Sequence, residues 1–550
     1  MGTVSSYHRS PLMDTAFAPV PDASVSIRGS LKNTIDNALR FVDRAQISAF
    51  DAVLCTKVGG FKSTPTLPPR DERVNSLTDL SAYTQYWHAA EMIAIMNRDR
   101  EALSSVLVEM NQFKKDMVHL GEGELLENGA ELLRLMLDLY RRTGKAFLCD
   151  LMKELRSRLT DVSGVMHSFP FPTPYLPAKY DENDKNRTYY ERMERLAATS
   201  IMADSIAMTA MIAQYSGDRR DAEAPLLGFE NLKHYHSLPG GVISGNPYLS
   251  GRNPSEAAEL HSVMSQMEAW LDSLLLNGNA CFADAMERLY ENVLVDLVTD
   301  DGLRDCFVAN RLPSDDSCHI GQTAQCDTSA LIRALYAYRR SVWLWRDDHS
   351  ICLNQPVSGS CSVHMDGKNL RLACDVEDKQ NRTLSITVDC QEPVSFELNI
   401  RVPEYCKSAV MRVNGHEIQP VFHEGYASLR QMFYKNDCVT LEMQLGVHVE
   451  KGWRDTISVY YGPWLMALPV PKENNEWRFA VKSSEEGTAG SAEDKTVTMI
   501  ACAASQWKAE SGIIGIPPRD VKPGNSYALA LQPAAGLNGR ITAFPCVVEK

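Results

Sequence analysis

The spacing of apolar residues changes once along this chain, and that change limits the folds it can adopt. Over residues 76–345 the apolar residues recur at intervals of three and four, the spacing of one helix face. After about Asp348 they alternate with polar residues, as in half-buried strands. Since 550 residues are too many for one core, we predict a multidomain α+β fold. It has a helical domain over 1–347, a β-sandwich over 348–471 and a C-terminal β domain over 472–550.

Helical hairpins with glycine turns recur in the first part of the chain. Apolar residues form one stripe over 260–275, and Asn277-Gly278 then marks the end of a helix. A second stripe follows over 282–297. An earlier pair of helices has the same pattern, with its turn at Gly144. Repeated hairpins of this kind are typical of an α/α toroid.

Three residues predict where the helix that carries the first of these stripes begins. Asn253 can cap a helix, Pro254 suits the first helical position, and Glu256 lies where a capping-box acid would reach back. We therefore expect the helix to begin at Pro254. On such a helix Glu259 and His261, two residues apart, would point in different directions.

Strand signals follow the helical region. Apolar and polar residues alternate over 396–402 and again over 439–445. Between these two runs, Asn414-Gly415 is a strong hairpin turn signal. A polar stretch rich in glycine, serine and glutamate over 472–495 indicates a linker or an exposed loop, and further β structure is expected after it.

Composition and charge limit the partners of this chain. The formal net charge of -14 argues against a nucleic-acid surface, which needs a basic footprint, and against an anionic membrane. No apolar run approaches the roughly 20 residues that a membrane helix needs. The 14 cysteines are scattered without a CxxC pair, and no secretory signal is visible. We expect a cytoplasmic protein with reduced thiols that acts on a small-molecule substrate and could form a homodimer.

Short segments of the chain carry a more specific signal than its periodicity. They are SGNPYLSGRNPS at 244–255, ADAMER at 283–288, FELNIRVP at 396–403, VNG at 413–415, YGPWLMAL at 461–468 and RITAFP at 540–545. Together they resemble the β-L-arabinofuranosidase family, glycoside hydrolase family 127 (GH127). The resemblance covers most of residues 230–550, and before that only helical periodicity supports it.

This resemblance implies both an architecture and a chemistry. The architecture is an (α/α)6 barrel, a six-hairpin toroid, followed by antiparallel β-sandwich domains. Family members hold zinc with one glutamate and three cysteines, and one of these cysteines is the nucleophile. A separate glutamate is the general acid/base. A zinc-bound thiolate can attack an anomeric carbon, and a carboxylic acid must protonate the leaving oxygen.

Matched position by position, the chain resembles a divergent family member with a degenerate active site. The glutamate of the zinc set falls on Glu259, and the cysteine two residues later is His261 here. The adjacent cysteine pair falls on Gln325 and Cys326, so an amide stands where the nucleophile is implied. The acid/base glutamate falls on Pro247, which has no proton to donate.

The remaining ligand types leave the cofactor open between zinc and none. Glu259, His261, Cys318 and Cys326 could form a zinc site of mixed ligands. Alternatively no metal is bound, because a cysteine often serves as a small buried hydrophobic residue.

Four residues are candidates for catalysis. Glu256, nine residues after Pro247, could replace the implied acid, although a capping role explains it equally well. His236 precedes the pocket loop and could act as an acid, a base or a hydrogen-bond donor, or be a satisfied loop histidine. Glu259 and Gln325 keep the positions of the family's reactive centre.

Four further residues are candidates for substrate binding. Trp87 and His88 lie on an early helix and could form one wall of a pocket, or could pack in the core. Asn246 and Tyr248 lie in the segment that resembles the family's pocket loop.

The sequence leaves three functions open. The first is non-hydrolytic small-molecule chemistry on a repurposed scaffold, such as cyclisation, cycloaddition, isomerisation or elimination in biosynthesis, which needs orientation rather than a nucleophile. The second is a metal-dependent, β-L-arabinofuranosidase-like glycoside hydrolase. The third is a carbohydrate-binding protein without catalysis. A mostly apolar pocket would favour the first function, whereas carboxylates and aromatic rings would favour the others.

Overall fold

The structure is a computed structural model, and its helices and strands follow the predicted order. It describes residues 7–42, 47–59, 66–67, 79–181, 183–299, 302–311, 320–321, 325–378, 381–470, 479–480, 496–505 and 522–546. Helices fill the first part of the described chain and antiparallel sheets the second, so the predicted fold class is confirmed.

Fourteen α-helices occur in the described part of the chain. They are α1 (Ser30–Leu39), α2 (Ala49–Lys57), α3 (Leu80–Asn97), α4 (Arg100–Asp116), α5 (Glu122–Thr143), α6 (Ala146–Arg158), α7 (Val162–Ser168), α8 (Arg187–Ala197), α9 (Thr199–Ser216), α10 (Arg219–His236), α11 (Leu260–Asn277), α12 (Ala280–Leu289), α13 (Val295–Leu297) and α14 (Gln325–Arg340). A π-helical turn, Tyr290–Leu294, joins α12 to α13. None of these helices has the length and apolar character needed to cross a membrane.

Six of the helices close a ring. Around the ring, α2 packs on α3, α3 on α5, α5 on α9, α9 on α11, α11 on α14, and α14 on α2. Outside the ring, α1, α4, α6, α10 and α12 each pack against at least one inner helix. This arrangement of inner and outer helices is the predicted (α/α)6 barrel, and the space enclosed by the inner six is called the lumen below.

Glycines end the helices where the sequence predicts. Gly144 follows α5 with φ +67°, and Gly278 follows α11 with φ +73°. Both lie in the left-handed region, where a residue without Cβ is unstrained. In each case the glycine N–H donates to a carbonyl of the last helical turn. The predicted helical hairpins are therefore confirmed at these two turns.

The predicted start of α11 is wrong. The helix begins at Leu260, because residues 257–259 instead form a short strand that pairs antiparallel with residues 306–308. Asn253 closes a turn, in which its side-chain oxygen accepts the Ser255 N–H at 3.1 Å. Glu256 consequently lies in that turn rather than in a capping box.

The strands are numbered along the chain as follows: β1 (Ala18–Pro19), β2 (Val25–Ile27), β3 (Ala257–Glu259), β4 (Leu303–Arg304), β5 (Cys306–Val308), β6 (Ile320–Gly321), β7 (Trp343–Asp347), β8 (Ser350–Leu353), β9 (Gly359–Met365), β10 (Lys368–Asp378), β11 (Asn381–Cys390), β12 (Val394–Arg401), β13 (Ser408–Val413), β14 (His416–Ile418), β15 (Val421–His423), β16 (Tyr426–Phe433), β17 (Cys438–Gln444), β18 (Val447–Lys451), β19 (Ile457–Tyr461), β20 (Trp464–Pro469), β21 (Phe479–Ala480), β22 (Val497–Ser505), β23 (Lys522–Pro533), β24 (Arg540–Ile541) and β25 (Ala543–Phe544).

Two sheets form the sandwich. One has the order β1-β7-β8-β12-β16-β15, and the other β14-β13-β17-β11-β10-β9-β2. All described pairs in them are antiparallel except β8 with β12, which is parallel. The predicted hairpin turn is confirmed: Asn414 and Gly415 join β13 to β14 with φ of 50° and 82°. The N-terminal strands β1 and β2 complete one edge of each sheet, so the chain start is anchored on the sandwich.

A third sheet follows the sandwich. Its order is β18-β19-β20-β23-β22-β21, with β24 and β25 pairing beside β20 and β19. Strands β18 to β20 thus pair with the C-terminal strands and not with the sandwich. Of the predicted linker over 472–495, only 479–480 lie within the described residues, and they form β21.

A buried ion cluster joins the barrel to the sandwich. Glu287 of α12 is fully buried, and Arg382 of β11 and Arg401 of β12 both donate to its carboxylate, Arg401 at 2.5 Å. Tyr405 adds a hydrogen bond to the same carboxylate at 2.8 Å. Despite the burial, which alone would raise it, the two arginines lower the pKa of Glu287. The cluster therefore holds α12 in one position against both strands.

A second buried pair joins the barrel to the third sheet. Asp296 of α13 and Arg540 of β24 are both fully buried and form two hydrogen bonds of 2.7 and 3.0 Å. Arg540 also donates to the main-chain oxygens of Val308 and Ala534, at 2.7 and 2.8 Å. Removing this guanidinium would leave the buried Asp296 with only Arg311, 3.6 Å away, as an ion-pair partner among the described residues.

We expect Arg540→Met to lower the free energy of unfolding by about 3–5 kcal/mol, since the buried Asp296 would lose its two short ionic hydrogen bonds and keep only Arg311 at 3.6 Å. Chemical denaturation followed by tryptophan fluorescence measures the loss. The matched control is Arg219→Met, because Arg219 forms an exposed pair with Glu223 at 2.6 Å. This control should cost less than about 0.5 kcal/mol. Equal losses in the two variants would contradict the proposed role of Arg540.

Candidate active site

The lumen of the barrel is lined by charged side chains from different inner helices. Arg333 of α14 donates to Glu131 of α5 at 2.7 Å and to Glu268 of α11 at 2.9 and 3.0 Å. Arg134 of α5 donates to Glu268 at 2.8 Å and to Asp272 at 3.0 Å. The side chains of these residues remain between 10 and 16% exposed, so they border an interior space and are not sealed in the core.

His88 of α3 extends this network to the other side of the ring. Its Nδ1 lies within hydrogen-bond distance of the Glu131 carboxylate, and its ring packs on Phe50 of α2 with centroids 5.2 Å apart. The guanidinium of Arg333 lies 5.3 Å from the same Phe50 ring. The buried Nε2 of His88 has no hydrogen-bond partner among the described residues. These contacts join side chains from five of the six inner helices, and Asp204 of α9 adds the sixth.

Asp204 of α9 is the unusual member of this cluster. It is the one charged residue in the sequence of α9, and its carboxylate accepts a hydrogen bond from Ser265 Oγ of α11 at 3.4 Å. Desolvation raises the pKa of Asp204 to about 7, and the charge of Glu268 adds to this, whereas Arg134 acts in the opposite direction. Asp204 has no ion pair with any described residue.

Glu131 and Glu268 of the lumen are shifted the opposite way, whereas burial raises the pKa of Asp272. Burial alone would raise the pKa of Glu131, but Arg333 and His88 hold it well below its usual range. Burial likewise acts against Glu268, and Arg134 and Arg333 lower the pKa of that carboxyl. At neutral pH the lumen therefore contains a half-protonated Asp204 beside ionised carboxylates. Separation of pKa values in this way assigns one carboxyl as an acid and its neighbours as bases or charge stabilisers.

One end of the lumen is bounded by the segment between α10 and α11. Thr199 N–H, at the start of α9, donates to Pro247 O at 3.0 Å, and Glu259 N–H donates to Gly245 O at 3.0 Å. This segment therefore connects the first turns of α9 and α11. Asp204 follows Thr199 by five residues, which places it about 7.5 Å further along the helix. Asp204 is thus close to the mouth of the lumen that this segment borders.

His261 lies at the same end. It is in the first turn of α11, four residues before Ser265, and therefore one turn above it on the same helix face. Its side chain is exposed. Desolvation by the surrounding protein, together with the positive charge of Arg333, lowers the pKa of the imidazole. His261 is accordingly neutral at pH 7.

His236, a predicted catalytic residue, connects two loops through hydrogen bonds. It is fully buried at the end of α10. Its Nε2 donates to Phe171 O at 2.7 Å, and its Nδ1 accepts the Gly251 N–H at 3.0 Å. Desolvation lowers the pKa of the ring. Because both nitrogens are engaged, His236 holds the proline-rich loop of 169–177 against the pocket segment.

The structure separates the other predicted contact residues. Trp87 is buried at 5% exposure and packs on Tyr83 and Tyr86, with ring centroids 6.1 and 5.1 Å away. Asn246 is exposed on the outside of the pocket segment. Glu256 is half-buried in a turn, and burial raises the pKa of its carboxyl. Trp87 thus lies on the same helix as His88 of the lumen cluster but not on the same face.

Tyr248 belongs to an aromatic rim beside the mouth. Its hydroxyl donates to Glu194 at 2.6 Å, and this hydrogen bond and burial raise the pKa of Tyr248 to about 12. Its ring lies 5.6 Å from that of Tyr175. Nearby, Tyr180 and Tyr190 stack with centroids 5.6 Å apart. Rings at the mouth of a polar pocket offer faces on which a sugar ring can stack.

Only some of the predicted zinc ligands lie within the described residues. Glu259 ends β3, faces Cys306 across the β3–β5 ladder, and accepts a hydrogen bond from Ser262 at 3.2 Å. Because α11 begins after Glu259, the predicted helical separation of Glu259 and His261 does not apply. The described residues hold no group of three metal-ligating side chains. Cys318 and the side chains of Gln325 and Cys326 lie outside the described residues. Zinc binding therefore stays a prediction.

Sequence reasoning missed Asp204, Glu268 and Arg333. A single charge in the otherwise uncharged α9 is a signal that could have identified Asp204, because an unpaired charge is rare inside a core. Glu268 and Arg333 carry no such signal. Their importance comes from pairing across the ring, which spacing along one helix does not reveal.

One part of the chain matches a known family model. Residues 351–445 match the middle domain of GH127 β-L-arabinofuranosidases. The matched segment runs from β8 to the end of β17 and so spans most of the sandwich. A search of curated proteins finds no match to the chain.

Solved structures share the fold along nearly the whole chain. A structure described as a glycoside hydrolase has a TM-score of 0.71 at 14% identity, over 98% of this chain and 99% of that one. A GH127 β-L-arabinofuranosidase from Geobacillus stearothermophilus T6 has a TM-score of 0.64 at 16% identity, over 100% and 94%. Another GH127 β-arabinofuranosidase has a TM-score of 0.64 at 14% identity, over 97% and 98%. At this identity the likeness establishes a GH127-like fold and no activity.

We expect Asp204→Asn to flatten the pH dependence of stability. The folded state holds the Asp204 proton up to about pH 7, whereas the unfolded state releases it near pH 4, so stability falls as pH rises between these values. Between pH 5 and pH 8 the variant should therefore gain about 1–3 kcal/mol relative to wild type. Chemical denaturation at pH 5 and at pH 8 measures the free energy of unfolding and tests this. The control is Asp150→Asn, because Asp150 is exposed. If the difference in the free energy of unfolding between variant and wild type were the same at pH 5 and pH 8, Asp204 would titrate normally.

Proposed function

We propose that this chain, a divergent GH127-like protein, hydrolyses a glycoside in the lumen of its barrel. The observation that supports this best is the raised pKa of Asp204 beside the ionised Glu268. A lumen lined by carboxylates favours carbohydrate chemistry over reactions of an apolar molecule. The charged lumen therefore supports the glycosidase interpretation more than the predicted non-hydrolytic one.

Asp204 is proposed as the general acid. Glycoside hydrolysis needs a carboxylic acid that protonates the leaving oxygen and a carboxylate that activates water or attacks the anomeric carbon. With its pKa near 7, Asp204 still holds its proton over most of the acidic and neutral range. The proton passes to the glycosidic oxygen, the bond from that oxygen to the anomeric carbon breaks, and water supplies the new hydroxyl group. Asp204 would thus replace the acid that Pro247 does not supply.

Glu268 is proposed as the second carboxylate. Two arginines, Arg134 and Arg333, donate to it and lower its pKa, so Glu268 is ionised near neutral pH, where Asp204 still holds its proton. The same arginines fix its position, since both also bond to carboxylates on other helices. A group held in this way needs little reorganisation when positive charge develops on the sugar.

The aromatic rim is proposed to bind the sugar outside the bond that is cleaved. Tyr175 and Tyr248 lie on the two loops that meet at the mouth, where Tyr175 N–H donates to Leu249 O at 2.8 Å. This main-chain hydrogen bond holds the two loops together. A saccharide that stacked on these rings would present its end to the lumen.

An isomerase or lyase is the second candidate. The observation that favours it is a protonated carboxyl, Asp204, at the same end of the lumen as a neutral imidazole, His261. Such a pair can give and take a proton without a nucleophile. Product analysis separates the candidates, because hydrolysis incorporates water and isomerisation does not.

We expect Asp204→Asn to lower kcat for glycoside release by about 10²–10⁴-fold, the usual contribution of general acid catalysis. KM should change little, since an amide fills the same space. A panel of aryl glycosides, including arabinofuranosides, provides the assay, and Asp150→Asn is again the control. Full activity of Asp204→Asn on a substrate that wild type cleaves would show that Asp204 is not the acid.

The pH profile of kcat gives an independent test. Because the acid must be protonated, we expect kcat to fall as pH rises above about 7, the pKa of Asp204. Activated substrates with good leaving groups need less protonation, so the decline should be shallower for them. An alkaline limb that is the same for good and poor leaving groups would point to a different titrating group.

A further inference from the structure

A second cavity lies outside the barrel lumen. It is a cleft of about 670 Å³ between the outer helices α10 and α12, on one side, and residues 404–407 and 446–451 of the β domains on the other. None of the residues of the lumen cluster lines it. Its volume is in the range of pockets that hold one small molecule.

The cleft contains cations that form no ion pair with another described residue. Lys233, Lys407 and Lys451 line it, and none of the three forms an ion pair with another described residue. Arg252 donates through Nη2 to Lys451 O at 2.8 Å, but its buried Nε has no hydrogen-bond partner among the described groups. Arg252 therefore has N–H donors that its described hydrogen bond does not use.

Two of the four carboxylates in the cleft are already neutralised. Glu450 pairs with Arg288 at 2.6 Å, and Asp284 pairs with Arg401 from outside the cleft. Glu230 and Glu404 remain without ion pairs in the described structure. The four cations of Lys233, Lys407, Lys451 and Arg252 thus outnumber the two remaining carboxylates. This is a local positive excess on a chain whose net charge is -14.

We propose that this cleft binds a small anionic sugar, a saccharide that carries a carboxylate or a phosphate. The cations supply charge-assisted hydrogen bonds to its anionic group. The two remaining carboxylates can accept hydrogen bonds from hydroxyl groups, which a simple inorganic anion lacks. Phe229, which lies 6.0 Å from the Lys233 ammonium, offers an apolar face within the same cleft. The site is separate from the lumen, so the proposal does not depend on hydrolysis there.

Calorimetric titration of the full chain tests this proposal. The probes are galacturonate, glucose 6-phosphate, neutral glucose and inorganic phosphate. We expect at least one anionic sugar to bind with a Kd of about 10 µM to 1 mM, and glucose at least tenfold more weakly. Lys233→Ala and Arg252→Ala should each weaken binding about 5–30-fold. Lys115→Ala, an exposed lysine on α4, should leave it unchanged.

The probes also distinguish the sources of the anionic group. Binding of galacturonate alone, or of glucose 6-phosphate alone, supports the proposal and identifies the carboxylate or the phosphate as the ligand group. Equal binding of glucose and the anionic sugars, no saturable binding, or inorganic phosphate binding as tightly as glucose 6-phosphate would each overturn it.

Two further variants keep the outcome clear. Lys407→Ala replaces Arg252→Ala if the latter fails to fold, and it should weaken the same ligand by a similar factor. Asp204→Asn should leave the affinity unchanged, because Asp204 lies in the lumen. If Asp204→Asn abolishes binding while Lys233→Ala does not, the ligand occupies the lumen and the cleft proposal is wrong.

Discussion

The contact on which the rest of this structure depends is the buried carboxylate of Glu287 between Arg382 and Arg401. It joins a barrel helix to two strands of the sandwich in an environment without water, where one carboxylate needs both cations. The pair of Asp296 and Arg540 does the same for the third sheet. Three of the six segments that resemble GH127 carry residues of these contacts. Similarity in those segments therefore reports how the domains are assembled and gives little information about catalysis.

The lumen uses the same chemistry for a different purpose. Arginines pair there with carboxylates across the ring, but Asp204 has no ion pair among the described residues, and burial raises its pKa. An interface that must only be stable can neutralise every charge. A site that transfers protons needs one group whose charge is not fixed. Asp204 is that group, because burial raises its pKa while Arg134 and Arg333 lower the pKa of Glu268. This contrast is why the proposal of catalysis rests on Asp204.

The cleft outside the barrel follows from how the domains meet. Its walls are helices α10 and α12 on one side and residues 404–407 and 446–451 of the β domains on the other. Arg252 links this space to the mouth of the lumen, because it belongs to the same segment as Tyr248. One segment of the chain therefore contributes a residue to each of the two proposed sites.

The sequence by itself determined the order of helices and strands, the glycine turns after α5 and α11, and the hairpin at Asn414-Gly415, because each depends on local spacing and backbone freedom. It did not determine that α11 begins at Leu260, because the competing strand pairs with residues distant in the chain. Only the tertiary structure brought Asp204, Glu268 and Arg333 together from three helices. Which helices face one another around a ring depends on packing among all six, and no spacing within one helix carries that information.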